Sequence, residues 1–128
     1  MDKDHLKSIP VFAELDDDAR DAIAKLAAEV SVPEGKELVR EGDFSYELIA
    51  IEEGTSRVHH GDETLAELGP GDIVGETGVL EGTQRNASVT ATSPMRLVTL
   101  TTWDVRRLGK QSPGAIERLR ELAAARRG

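Results

Sequence analysis

The stretch Gly71-Asp72-Ile73-Val74-Gly75-Glu76-Thr77-Gly78-Val79-Leu80-Glu81-Gly82-Thr83-Gln84-Arg85-Asn86-Ala87-Ser88-Val89 decides how this sequence is read. Glycines at 75, 78 and 82 let the backbone come close to a ligand, because no Cβ stands in the way. Thr77 to Leu80 fit a single helical turn. The first N–H groups of such a turn have no partner within it and suit a phosphate. Arg85 leads into a strand-like run, and a guanidinium there can grip a phosphate through two parallel hydrogen bonds. Glu76 adds an acceptor suited to a sugar hydroxyl. The combination fits a ligand with a sugar and one anionic phosphate, although a lone loop arginine or a lone Gly-Glu is usually only a solvated turn.

The charge around this stretch sharpens the point. The chain of 128 residues carries a formal net charge of −8. Residues 1–102 hold nine bases against 21 acids, and residues 103–128 hold seven bases against three acids. Between residues 58 and 95, six acids (Asp62, Glu63, Glu67, Asp72, Glu76, Glu81) accompany one base, Arg85. Long-range steering by such a charge repels anions, so affinity for a phosphate has to come from short-range, preorganised contacts. The same acidity argues against non-specific binding of nucleic acid.

Outward from the stretch, glycine turns recur at Gly42, Gly54, Gly61, Gly71 and Gly82, with short apolar runs between them such as Leu48-Ile49-Ala50-Ile51 and Leu97-Val98-Thr99-Leu100. Turns at this spacing predict an antiparallel sandwich or barrel, spanning about 31–101. Before it, Ala19, Ala22, Ile23, Leu26, Ala27 and Val30 recur at helical spacing, behind a run of three aspartates (Asp16 to Asp18) suited to a cap and first turn. That predicts a helix over about 16–30, closed by Pro33 and Gly35. After it come a short helix over about 103–108, capped by Thr102 and ended by Gly109, and a second over about 113–126. The Ser112-Pro113 pair is a cap followed by proline at the first helical position. Ile116, Leu119, Leu122 and Ala123 give that last helix an apolar stripe; Arg118, Arg120, Arg126 and Arg127 form its other face. The fold class is mainly β with flanking helices, in one domain covering residues 1–128.

Several function classes are disfavoured. The chain has no cysteine, which excludes a disulfide scaffold, a cysteine zinc site and thiol catalysis and fits a cytoplasmic protein. No apolar run approaches a membrane span, and Met1-Asp2-Lys3-Asp4 is too acidic for a signal peptide. Serine-hydrolase, Walker and dinucleotide fingerprints do not occur, so no enzyme activity is expected. His59 and His60 are adjacent, so on a strand they point to opposite faces and cannot chelate one ion together. His5 is distant from them, and no metal site is expected.

Residues 71–89 resemble the phosphate-binding cassette of the cyclic nucleotide-binding domain family, which includes catabolite activator proteins, kinase regulatory subunits and cyclic-nucleotide-gated channels. The family pattern of Gly-Glu, a short turn, then Arg followed by small residues stands here as Gly75-Glu76, Thr77-Gly78-Val79-Leu80 and Arg85-Asn86-Ala87-Ser88-Val89. The early helix, Pro33-Glu34-Gly35, Glu41-Gly42-Asp43, the Gly54 turn, Leu68-Gly69-Pro70-Gly71-Asp72 and the closing helices follow in family order. The resemblance implies an antiparallel, jelly-roll-like β-roll with one N-terminal and two C-terminal helices. It implies that Arg85 pairs with the cyclic phosphate and that Glu76 accepts from the ribose 2′-hydroxyl. Backbone groups at Gly75, Gly78, Asn86 and Ala87 then complete the pocket, with Thr77 in its turn. Thr77, Val74, Gln84 and Asn86 depart from the commonest family residues without removing a ligand contact. Cyclic AMP is the favoured ligand, with Asn86 leaving cyclic GMP open; no other cofactor is implied. The closing helix lacks an aromatic to stack on the base, and Leu119, Leu122, Ala123 and Arg126 are the candidates to cover it. The implied role is a non-catalytic sensor that moves its C-terminal helix to signal an effector protein, with a homodimer through that helix as a further expectation. The rivals are a family member without nucleotide that serves protein interaction, and a sensing fragment of a longer regulator, kinase or channel. With the chain stopping at Gly128, no helix-turn-helix is expected within it, hence no specific DNA contact by this chain alone.

Overall fold

The computed structural model describes residues 2–42, 47–74, 87–118 and 121. The order is α1 (Lys3–Leu6), α2 (Pro10–Ala13), α3 (Asp17–Leu26), β1 (Ala28–Val32), β2 (Glu37–Val39), β3 (Glu47–Glu53), β4 (Ser56–His60), β5 (Glu63–Leu68), β6 (Ile73–Val74), β7 (Ser88–Ala91), β8 (Met95–Thr101) and α4 (Thr102–Gln111). Helical backbone resumes over residues 113–118. The strands pair antiparallel in two sheets of four, ordered β1-β8-β3-β6 and β2-β7-β4-β5. The architecture is an antiparallel β-roll with flanking helices.

The run Leu48–Ile51 is apolar without a break because its sheet is covered on both faces. Side chains alternate across a strand, so Leu48 and Ala50, with Val98 and Leu100 of β8, join the core beneath the helices. Ile49 and Ile51, with Met95 and Leu97, join the core between the sheets, which receives Val39, Val89 and Ala91 from the opposite sheet. Burying each such side chain is worth about 1.5–3 kcal/mol. Among the described residues the second sheet contributes its inner face to the core, and its edge strand β5 is exposed at Leu65.

The helical core is built from Leu6, Ile9, Phe12, Leu15, Ala19 and Ile23, closed by Val105 and Leu108 of α4. Asp16 caps α3, its Oδ1 accepting from the Ala19 N–H at 2.8 Å. Arg20 is buried on the same side of α3 as Ile23. Its guanidinium donates to the carbonyls of Ala13 (3.0 Å) and Leu15, which the short helix α2 leaves open, and meets Asp17 Oδ1 at 2.6 Å. An ionised donor in this position satisfies several buried acceptors at once.

The boundaries differ from the sequence expectation at both flanks. α3 ends at Leu26, not near residue 30, because Ala27 is already extended and residues 28–32 pair with β8. Val30 therefore faces outward from a strand, 40% exposed, despite its helical spacing, and the β-roll starts at Ala28. The cap of α4 is Thr101 and not Thr102. Thr101 Oγ1 accepts from the Asp104 N–H at 3.1 Å, while Asp104 Oδ2 accepts from the Thr101 N–H at 3.0 Å. α4 also runs through Gly109 to Gln111. A glycine inside a helix costs only about 1 kcal/mol, and the docked Val105 and Leu108 outweigh it. Trp103, 73% exposed, lies outside the core and carries the Arg106 guanidinium 5.1 Å above its ring. No helix among the described residues is long and apolar enough to cross a membrane.

Candidate functional site

The two described ends of the stretch that decides the sequence reading, residues 71–74 and 87–89, belong to different sheets. Its entrance is β6, paired with β3 through Ile49↔Val74 and Ala50↔Ile73. The turn before β6 is fixed at three points. Gly71 N–H donates to the Ile51 carbonyl at 2.8 Å, Ile51 N–H donates to the Asp72 carbonyl at 2.9 Å, and Asp72 N–H donates to the Gly69 carbonyl at 3.1 Å. Asp72 Oδ2 accepts from the Gly69 N–H at 2.8 Å, closing the turn with a side chain. Gly71 has φ +90°, a left-handed conformation that a Cβ disfavours.

The exit is β7, which lies between β2 and β4 in the other sheet. Val89 pairs with both Val39 and Val58, and Ser88 pairs with His59. The buried Ser88 hydroxyl accepts from the Glu41 N–H at 3.0 Å, joining the exit to the turn that follows β2. Both ends of the segment thus rest on strands that contribute to the inter-sheet core.

Of the site residues drawn from the sequence, Ala87 is half-buried immediately before β7. Gly75, Glu76, Thr77, Gly78, Arg85 and Asn86 lie outside the described residues, as do Leu119, Leu122, Ala123 and Arg126 of the closing helix, and the aromatics Phe44 and Tyr46. The base of the closing helix is described. Ser112 (φ −146°, ψ 73°) breaks the helical path after α4, and its N–H donates to the Leu108 carbonyl at 2.7 Å. Ala115 then buries itself in the helical core, and Arg118 approaches Glu14 at 3.7 Å. A groove along this seam is lined by Glu14, Asp16, Asp18, Ser112 and Arg118, among others. Its three carboxylates make it a poor receptor for a phosphate.

The two adjacent histidines occupy different environments. The His59 ring is bonded to the Gly61 carbonyl and to Thr90 Oγ1, both at 2.8 Å, while His60 meets Glu41. A cluster that the sequence reading missed is His5 with Glu29 and Glu52, drawn from α1, β1 and β3. No local spacing announces it, since only the pairing of β1 and β3 across β8 makes these residues neighbours.

Comparison with known proteins agrees with the fold and the family resemblance. A cyclic nucleotide-gated potassium channel of Rhizobium etli is 31% identical over 121 residues, 94% of this chain and 34% of the channel. A cAMP-dependent protein kinase regulatory subunit of Schizosaccharomyces pombe is 30% identical over 124 residues, 96% of this chain and 29% of that subunit. The chain therefore spans about a third of the length of these curated relatives. The crystal structure of a cyclic nucleotide-binding domain from Methylobacillus flagellatus superposes with a TM-score of 0.82, covering 97% of this chain and 79% of that one; at 23% identity the likeness concerns the fold. The family model described as the cyclic nucleotide-binding domain matches residues 29–112, from β1 to the break after α4 and across the whole cassette. With its β-roll, its anchored cassette and that match, the chain belongs to the cyclic nucleotide-binding domain family.

Proposed function

We propose that this domain is a sensor which binds a cyclic mononucleotide, cyclic AMP foremost, in the 75–87 segment and relays its arrival through the helix that begins at residue 113. The observation that carries the reading is a cassette sequence with Glu76 and Arg85 in place, on a segment anchored at both ends to the inter-sheet core. Arg85 pairs with the cyclic phosphate, and short-range contacts give it its hold despite the acidic surroundings. Glu76 accepts from the ribose 2′-hydroxyl. The preference for cyclic AMP is supported by the kinase regulatory subunit among the relatives, whose name carries that ligand. The role is regulatory and not catalytic.

The relay is a population shift. The closing helix begins docked on the helical core through Ala115, with Arg118 beside Glu14. Ligand in the cassette offers the stripe of Leu119, Leu122 and Ala123 a second surface, and Ser112 is the joint about which the helix turns. The effector, whether a further domain, a partner protein or a second copy of the chain, reads that change. A thermal-shift series with cyclic AMP, cyclic GMP and linear 5′-AMP tests the ligand class. The melting temperature is expected to rise with the cyclic nucleotides and not with 5′-AMP; equal shifts with all three, or none, would count against it.

A further inference from the structure

We infer that His5, Glu29 and Glu52 form a binding site for a divalent transition-metal ion of the zinc type, which ties the N-terminal helix to the first sheet. The three residues offer one imidazole nitrogen and two carboxylate oxygens, all within 4.8 Å of one another. Their convergence follows from the register. Glu29 pairs with Val98, so it stands on the helix-covered face of the sheet, and the register shift between Ile51 and Glu53 leaves the Glu52 carboxylate beside it. α1 then brings His5 over them. His5 Nε2 lies 2.8 Å from Glu29 Oε1 and also contacts Glu52 Oε1.

Protein groups alone leave this cluster unbalanced. One imidazole nitrogen faces two carboxylate oxygens, yet it carries at most one proton. Arg96 reaches Glu29 Oε1 at 3.3 Å and Glu52 Oε2 only at 3.9 Å, beyond hydrogen-bond distance. The Glu52 side chain is 8% exposed, and its Oε2 accepts no hydrogen bond from any described residue. A buried carboxylate oxygen that accepts no hydrogen bond is costly. A divalent ion takes the Nε2 lone pair together with both carboxylates, which a single N–H cannot serve. One imidazole and two carboxylates with a water as fourth ligand suit tetrahedral zinc. The imidazole and the small number of oxygens disfavour magnesium and calcium. With bonds of about 2.0–2.1 Å the donors stand roughly 3.3 Å apart, which small side-chain rotations of His5 and the glutamates provide. The site is distinct from the cassette, and the inference does not depend on nucleotide binding.

The test is isothermal titration of the chelator-treated full chain with ZnCl₂, with MgCl₂ as comparator and the melting temperature followed in parallel. Wild type is expected to take up one zinc ion per chain and to melt at a higher temperature with zinc. His5→Gln removes a ligand from a half-buried position and is expected to weaken zinc by at least about 10-fold and to abolish the melting shift. Glu52→Gln is expected to do the same, while His60→Gln keeps wild-type zinc affinity and controls for the histidine pair with Glu41. No saturable zinc uptake by wild type, or wild-type affinity in a folded His5→Gln chain, overturns the assignment.

Discussion

Gly71 and Ile51 are bonded directly, the Gly71 amide donating to the Ile51 carbonyl at 2.8 Å, and Ile51 returns a bond to the neighbouring Asp72 carbonyl at 2.9 Å. Ile51 is fully buried between the sheets. The turn that precedes the 75–86 stretch is therefore tied directly to the core.

Asp72→Ala tests this connection. It removes the side-chain oxygen that accepts from the Gly69 amide at 2.8 Å. The expected loss of stability is about 0.5–1.5 kcal/mol, read from urea unfolding. Affinity for cyclic AMP is expected to fall a few-fold as well. Wild-type affinity at reduced stability would separate the turn from the site.

Glu76 is assigned to the ribose. Glu76→Gln keeps the shape and loses the charge, so the bond to the 2′-hydroxyl weakens by about 1–2 kcal/mol, or roughly 5- to 30-fold in affinity. Wild type is expected to discriminate against 2′-deoxy cyclic AMP, and the variant to discriminate less. A wild-type chain that binds both nucleotides equally has no such contact.

Gly54, between β3 and β4, is a test of the fold alone. Its φ is +95°, and a Cβ there would stand 2.4 Å from the Pro94 carbonyl oxygen. Strained backbone of this kind costs about 1–3 kcal/mol, and the clash with a main-chain atom adds to it. Gly54→Ala is expected to lower the urea midpoint with an unchanged slope, while nucleotide affinity in the folded fraction stays at the wild-type value.

Arg85→Lys examines geometry apart from charge. Lysine keeps the cation but loses the planar fork that meets a phosphate with two parallel bonds. It is expected to bind cyclic AMP distinctly more weakly than wild type, and only modestly better than Arg85→Ala. Full affinity in the lysine variant would mean that charge alone suffices.

The β-roll was legible in the sequence because turn glycines and short apolar runs report a sheet regardless of tertiary detail. Leu48–Ile51 reads as a buried strand, and burial on both faces is the reason it shows no alternation. The end of α3 was not legible. Val30 falls at a helical spacing, yet it pairs with Leu97 of β8, and pairing with a strand so distant in sequence leaves no local trace. Thr101 and Thr102 are equally good caps by residue type, and only the reciprocal bonds with Asp104 distinguish them. Around the 75–86 stretch, the Gly69–Asp72 turn was legible from its Gly-Pro-Gly-Asp run, and the structure shows it closed before β6. The cluster of His5, Glu29 and Glu52 was not, because it depends on strand order and on a helix folding across the sheet.

The central claim is that Arg85, the one base between residues 58 and 95, holds the phosphate of a cyclic nucleotide. Isothermal titration of wild type and Arg85→Ala with cyclic AMP measures it most directly. The account predicts saturable binding of one nucleotide per wild-type chain and a loss of about 10- to 150-fold in the variant, as expected for a charge-assisted pair of about 1.5–3 kcal/mol. No binding heat with wild type, or equal affinity in the two proteins, would contradict it.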